Sequence, residues 1–236
     1  MKLNFTEYFI VTGTCFFCSV SFSQALSSSQ KPSGSFPSVA IDIRQYLEVF
    51  DDSSKQGIYR ISLCADVPNN NKPLKVAYKQ ETGHVFLILQ KITPANDTIC
   101  KVFGFYPKGG LQTLFFRKTK SYIRDNSGRE HDAAISKAVT AEQFDTILAK
   151  SLKLAERKYH MNRYNCYDYA VEIYNSVTGG SILPLKHTRF PFIFGRGGSP
   201  CCVYRDLRQL QKSGVVLNAD ISFGLLLAPW STGRKL

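Results

Sequence analysis

The chain has 236 residues, 44% of them hydrophobic and 13% aromatic, which suits one compact domain with its own core and requires no second. Its 30 Lys and Arg against 18 Asp and Glu leave a formal charge of +12, so an anionic partner is expected: nucleic acid, anionic lipid or acidic envelope polymer. No zinc-finger spacing, glycine-rich KH loop or aromatic RNP pattern is present, which argues against nucleic acid.

Residues 8–22, YFIVTGTCFFCSVSF, form an uncharged run preceded by Lys2 and followed by small residues at Ser23 and Ala25. The pattern predicts a signal peptide over residues 1–25, cleaved after Ser23 or Ala25, and a secreted or periplasmic product at the cell envelope. The run is short for a membrane span and the polar SSSQKPSGS that follows has no stop-transfer character, so no transmembrane segment is expected after cleavage. Residues 26–38, rich in Ser, Pro and Gly, read as a flexible leader, and a single domain is expected over residues 39–236.

Within that domain Ile41, Ile43, Tyr46, Leu47 and Phe50 fit either a short helix or a strand, and Tyr59 to Cys64 alternates as a strand should. Asn69 to Pro73 is a turn. Gly83-His84-Val85-Phe86-Leu87-Ile88-Leu89 is a β-rich run that His84 opens, Thr93 to Asp97 makes a hairpin loop, and Thr98 to Tyr106 returns as the second strand. Counting outward from the loop brings Phe105, Tyr106 and Pro107 opposite His84. Leu111 to Phe116 reads as a further strand, Arg117, Lys118, Lys120 and Arg124 as a basic cluster, and Asp125-Asn126-Ser127-Gly128 as a turn. Thr140 with Gln143 forms a capping box for a helix from Ala141 to Lys158. A short helix carrying Val203, Leu207 and Leu210 on one face and a closing strand or two in Val215 to Leu227 complete the chain.

The most informative stretch lies between these last elements. Cys166, Tyr169, Ala170, Ile173, Tyr174 and Val177 recur at the spacing of one helix face. Asn165 stands where an N-cap belongs, Asp168 completes a capping box, and Gly179–Gly180 supply the stop. Cys166 is therefore the first helical residue, where the helix dipole favours a thiolate by about 0.3–1 kcal/mol. It also opens the apolar face, where a free cysteine packs as a small hydrophobe.

Removal of Cys15 and Cys18 with the signal peptide leaves Cys64, Cys100, Cys166, Cys201 and Cys202, an odd number in a compartment that permits disulfides. One thiol is left over, and Cys166 is the natural candidate. Adjacent cysteines seldom bridge each other, so Cys201 and Cys202 are expected to reach separately toward Cys64 and Cys100. Their adjacency also lacks metal-ligand spacing, and no metal or cofactor is expected.

Thiol catalysis needs a base within about 2.6–3.2 Å and a third group that orients the base. Of the four histidines, His131 in a charged loop and His187 beside Lys186 are expected to be exposed, and His160 lies in the loop before the cysteine helix. His84, fixed on a strand, is the best placed.

A histidine opening the strand Gly83-His84-Val85-Phe86-Leu87, followed by Asn165-Cys166-Tyr167-Asp168-Tyr169-Ala170 at a helix start, resembles the circularly permuted papain-like superfamily over residues 83–180. This superfamily includes permuted NlpC-type peptidases and the lecithin:retinol acyltransferase group. The resemblance implies an α+β fold, an antiparallel sheet packed against a helix with the cysteine at its N-terminus. It further implies that Cys166 is the nucleophile and His84 the base. The family's polar residue on the next strand has no match in Phe103-Gly104-Phe105, and Tyr106 is chosen as third group because the hairpin count brings it near His84.

The expected activity is a secreted thiol hydrolase of cell-wall peptide amide bonds, acting as a monomer. Peptidoglycan or other anionic envelope material is the expected partner, with Arg163, Tyr164 and Arg189 in the flanking loops as substrate-binding residues. Two other activities stay open: an acyltransferase or lipid hydrolase using the same pair, and a non-catalytic basic protein that binds the envelope.

Overall fold

A computed structural model describes residues 40–51, 55–79, 81–109, 118–178, 182–190, 195–214 and 218–232. The expected signal peptide and leader, the strand at 111–116, the Gly179–Gly180 stop and residues 215–217 lie outside the described residues. In chain order the elements are β1 (Ala40–Ile41), α1 (Ile43–Leu47), β2 (Ile58–Asp66), β3 (His84–Ile92), β4 (Thr98–Pro107), β5 (Ser121–Asp125) and β6 (Glu130–Val139). Then come α2 (Ala141–Ala155), α3 (Cys166–Asn175), β7 (Thr188–Arg189), β8 (Arg196–Gly197), α4 (Pro200–Ser213) and β9 (Asp220–Leu227).

Among the described residues seven strands form one antiparallel sheet in the order β1-β5-β4-β3-β2-β6-β9, and β7 pairs separately with β8. The fold is thus α+β. Period-two alternation divides the sheet into two apolar faces. Tyr59, Ile61, Leu63, Val85, Leu87, Leu89, Phe103 and Phe105 point to the face covered by α2, α3 and α4. Cys64, Phe86, Ile88, Cys100, Val102 and Ala134 point to the other, closed in part by Ala228.

Helix α3 starts at Cys166 because Asn165 caps it: the Asn165 side chain accepts from the Tyr167 amide at 2.8 Å, and Asp168 returns a bond to the Asn165 amide at 2.9 Å. Its Tyr169 stacks on Phe105 with ring centroids 4.9 Å apart, which ties the helix to β4. The β3–β4 hairpin runs in register from Ile92↔Thr98 to Phe86↔Gly104, so His84 faces Tyr106 across the pair as counted. Both readings of the ambiguous 41–50 segment occur: two residues pair with β5, then Asp42 caps α1 by accepting from the Arg44 amide at 2.9 Å. Helix α2 ends at Ala155 rather than Lys158.

Strands β5 and β6 were not legible as such. In β6 the polar Glu130, His131, Asp132, Ser136 and Lys137 mask the alternation, yet the strand pairs on both sides. His131, expected to be exposed in a loop, is instead buried at 5% exposure and meets Phe86 edge-on at 5.6 Å. The expected disulfides are absent: all five described cysteines are free thiols. Cys64 and Cys100 lie under the face bearing Phe86, whereas Cys201 and Cys202 belong to the helix-covered core. The sheet separates the two pairs, which no bridge of ordinary Cα separation can span. Among the described residues no helix is long and apolar enough to cross a membrane.

Candidate active site

The site lies at the end of the sheet where β3 begins, and two glycines shape it. Gly83 has φ +71°, and a Cβ there would overlap the Asp66 carbonyl oxygen, so only glycine lets the chain enter β3 opposite the end of β2. Gly104 on β4 lies directly beneath the imidazole of His84. A Cβ at Gly104 would overlap His84 Nε2 and stand 2.7 Å from Asn126 Oδ1. A ring nitrogen and an amide oxygen therefore converge above the same bare Cα.

Both atoms are buried and neither has a hydrogen-bond partner. A buried polar atom left unpaired costs on the order of 1–3 kcal/mol, which marks the cluster as more than packing. Asn126 is held by its backbone amide to the Val102 carbonyl at 2.9 Å and by its Nδ2, which donates to the Tyr106 hydroxyl at 2.6 Å. This spends its donor on Tyr106 and leaves the oxygen facing the imidazole side. Tyr106 reaches His84 with its ring face, centroids 4.2 Å apart, and not with its hydroxyl. Tyr106 thus seats the ring, while Asn126 carries the acceptor suited to orient it.

Cys166 comes to this strand end from α3, with the backbone N–H groups of Val85 and Tyr167 directed at its sulfur. Val85 follows His84, so nucleophile and base are attached to adjoining backbone. The sulfur and His84 Nε2 are not hydrogen-bonded to each other. His84 shares its side of the sheet with Phe86, its ring stacking on that of Phe86 at 6.2 Å, whereas α3 covers the opposite side. Cys166 and His84 thus approach the strand end from opposite sides of the sheet.

Electrostatics correct the expectation of a thiolate. Burial pushes the Cys166 thiol up to about 11, against which the Val85 and Tyr167 amides and the Arg129 charge pull down. A rise from the ordinary 9.0 to about 11 is about 3 kcal/mol against the thiolate, more than the roughly 0.3–1 kcal/mol that a helix N-terminus supplies. Burial, then Arg129 and Arg124, hold His84 well below the usual imidazole range. At neutral pH both groups are uncharged.

Arg129 completes the cluster. Its Nη2 pairs with Asp66 Oδ2 at 2.6 Å and its Nη1 donates to the Tyr106 hydroxyl at 3.4 Å, while Nε is buried without a partner. The turn that bears Asn126 and Arg129 is fastened by the C-terminal segment, Gly128 to Ala228 at 3.2 Å and Ala228 to Arg129 at 2.9 Å. In the sequence Asp125-Asn126-Ser127-Gly128 reads as a turn, with no local mark of a site role for Asn126 or Arg129. The available signal was Gly104, a glycine between Phe103 and Phe105 in a strand, which marks close approach by another group.

The remaining candidates separate. Arg163 and Arg189 are exposed. Tyr164 faces inward, edge-on to Phe105 at 5.7 Å with Arg157 4.6 Å over its ring, so its ring serves packing. His160 accepts from the Asn162 amide at 3.1 Å, and His187, exposed as expected, pairs with Asp168 at 3.0 Å. Among the described residues no cluster of His, Cys, Asp and Glu could hold a metal ion. Compared with family models, with curated proteins and with solved structures, the chain matches none.

Proposed function

We propose that the chain is a cysteine hydrolase of the circularly permuted papain-like superfamily, cleaving amide bonds in peptides of the cell envelope. The observation that carries this reading is the convergence of two buried, unpartnered groups, His84 Nε2 and Asn126 Oδ1, over Gly104, next to the strand residue that abuts Cys166.

In the proposed mechanism the neutral thiol of Cys166 attacks the carbonyl carbon as His84 removes its proton. Because neither group is charged at rest, proton transfer accompanies attack instead of preceding it. In that step Asn126 Oδ1, not bonded to His84 at rest, closes on Nε2–H so that the other ring nitrogen is the basic one and the imidazolium is held as it forms. The Cys166 amide N–H at the helix start is directed at the Tyr159 hydroxyl at rest, and the Arg129 charge favours both the thiolate and the tetrahedral anion. His84 then returns the proton to the leaving amine, and water, deprotonated by His84, resolves the thioester. Exposed Arg163 and Arg189 supply charge for carboxylate-bearing peptides.

The test is turnover of purified muropeptides followed by chromatography. Cys166→Ala and His84→Ala should each abolish cleavage while keeping the wild-type melting profile. Faster hydrolysis of phospholipid esters than of any muropeptide would move the assignment to the lipid reading. Envelope binding without any turnover, unchanged in Cys166→Ala, would move it to the binding protein.

A further inference from the structure

The turn between β2 and β3 faces helix α4 across an open cleft of about 610 Å³. Lys72 and Lys75 line one wall, and Arg205, Arg208 and Lys212 the other, all five exposed. No Asp or Glu among the described residues lines the cleft. The nearest carboxylate on the helix, Asp206, is 4% exposed and already committed to Lys186 at 3.0 Å and Arg205 at 3.5 Å. Arg205 is thus paired, whereas Lys72, Lys75, Arg208 and Lys212 meet no carboxylate among the described residues lining the cleft; like charges gathered so repel one another, and their placement calls for a ligand.

We propose that this cleft binds a linear phosphodiester-linked polyol chain of the envelope and so anchors the protein beside its substrate. Arg205, Arg208 and Lys212 follow one another at i, i+3 and i+7 along one helix face, a row about 10 Å long at 1.5 Å per residue. Such a row suits a ligand that repeats one negative charge per unit, where a folded acidic protein surface offers no regular repeat. Arg208 is organised in advance: its guanidinium lies 3.9 Å over the Phe223 ring and donates to the Tyr204 hydroxyl at 3.1 Å, so little side-chain freedom is lost when the remaining N–H groups meet a phosphate.

The same contacts select against nucleic acid. Tyr204 is edge-on to Phe223 at 5.2 Å and overlaid by Arg208 at 5.4 Å, and Tyr78 beyond the turn is overlaid by Lys75 at 5.1 Å and Lys79 at 5.4 Å. The aromatic faces are used by the protein's own cations and leave no platform for stacking bases. A lipid surface is equally ill served, since among the described residues Leu74 is the sole large aliphatic side chain lining the cleft.

The experiment measures binding of fluorescent synthetic poly(glycerol phosphate) to the mature chain by anisotropy across a salt series. Lys72→Gln/Lys75→Gln/Lys212→Gln should lose at least tenfold in affinity, and its slope of log affinity against log salt should be shallower by about 2, at roughly 0.7 per neutralised phosphate. Arg208→Lys should lose several-fold with the slope unchanged, because charge is kept and the fork is lost. Lys120→Gln/Lys153→Gln/Lys158→Gln, an equal loss of exposed charge elsewhere, should bind as wild type. Cys166 alkylation should be unchanged throughout, so failure of the thiol reading is distinguishable from failure here. Equal weakening by the control triple, equal affinity for polyglutamate, or tighter binding of a single-stranded oligonucleotide would each overturn the proposal.

Discussion

Gly104→Ala is the sharpest single perturbation of the site. The backbone at Gly104 is not in the left-handed region, so alanine there is unstrained and in an ordinary strand would be neutral or gain about 0.5–1 kcal/mol. Here the new methyl overlaps His84 Nε2 and lies 2.7 Å from Asn126 Oδ1, well inside contact distance. The imidazole must leave its seat between Tyr106 and Phe86, and forcing a ring off its rotamer while overpacking a core costs about 1–3 kcal/mol. For a domain of this size that is a fall in Tm of about 2–12 °C. Function should suffer more than stability, because a displacement of about 1 Å at a reacting group costs on the order of a hundredfold. The assay pairs a thermal melt with muropeptide turnover, and the variant should remain folded at 25 °C with activity down at least a hundredfold. Full activity in a folded Gly104→Ala protein would refute the idea that the space above Gly104 is where His84 and Asn126 act.

Three further outcomes follow from the buried groups. Burial places the Cys166 thiol at about 11, so its alkylation by iodoacetamide in the ligand-free protein should be slower than that of a free thiol at pH 8 and should climb through pH 9 to 11; full reactivity at pH 6 would show a preformed ion pair. His131 is lowered by burial to about 4, so the folded chain binds fewer protons than the unfolded one between pH 6.5 and 4. Stability contributed by keeping it neutral is complete above pH 6.5 and is lost as pH falls, by about 3 kcal/mol at pH 4; His131→Gln should flatten the Tm-against-pH curve over that window, and an unchanged curve would exclude the residue. Non-reducing peptide mapping should find no disulfide among Cys64, Cys100, Cys166, Cys201 and Cys202, with Cys64 the last to label because it is wholly buried; a bridge joining Cys64 or Cys100 to either helix cysteine would contradict the sheet's place between them.

Local signals carried most of the fold's middle. The capping residues Asn165 and Asp168 placed the start of α3 to the residue, and the five-residue hairpin loop set the β3–β4 register, because both are decided by neighbours in sequence. Strand β6 was hidden for the opposite reason. Its buried polar groups find partners from distant segments, Asp132 Oδ2 accepting from the Val67 amide at 2.8 Å and Ser136 Oγ meeting Ser62 Oγ at 2.7 Å. No pattern in the strand itself announces them. The nucleophile and base candidates were legible as residue types at motif positions, whereas Asn126 and Arg129 enter the site through long-range backbone bonds of their turn, from Asn126 to Val102 on β4 and between Gly128, Arg129 and Ala228. The thiol's charge state was misjudged because the helix dipole is a local property and burial is a property of the whole fold.

The central claim, that Cys166 attacks an amide carbonyl with His84 as its base, is tested most directly by intact-mass spectrometry of the protein quenched in acid during muropeptide turnover. The account predicts a mass increase equal to the acyl half of the substrate, mapped to Cys166, absent from Cys166→Ala and accumulating far more slowly in His84→Ala. Cleavage at the wild-type rate by Cys166→Ala, or an acyl adduct on any other residue, would contradict it.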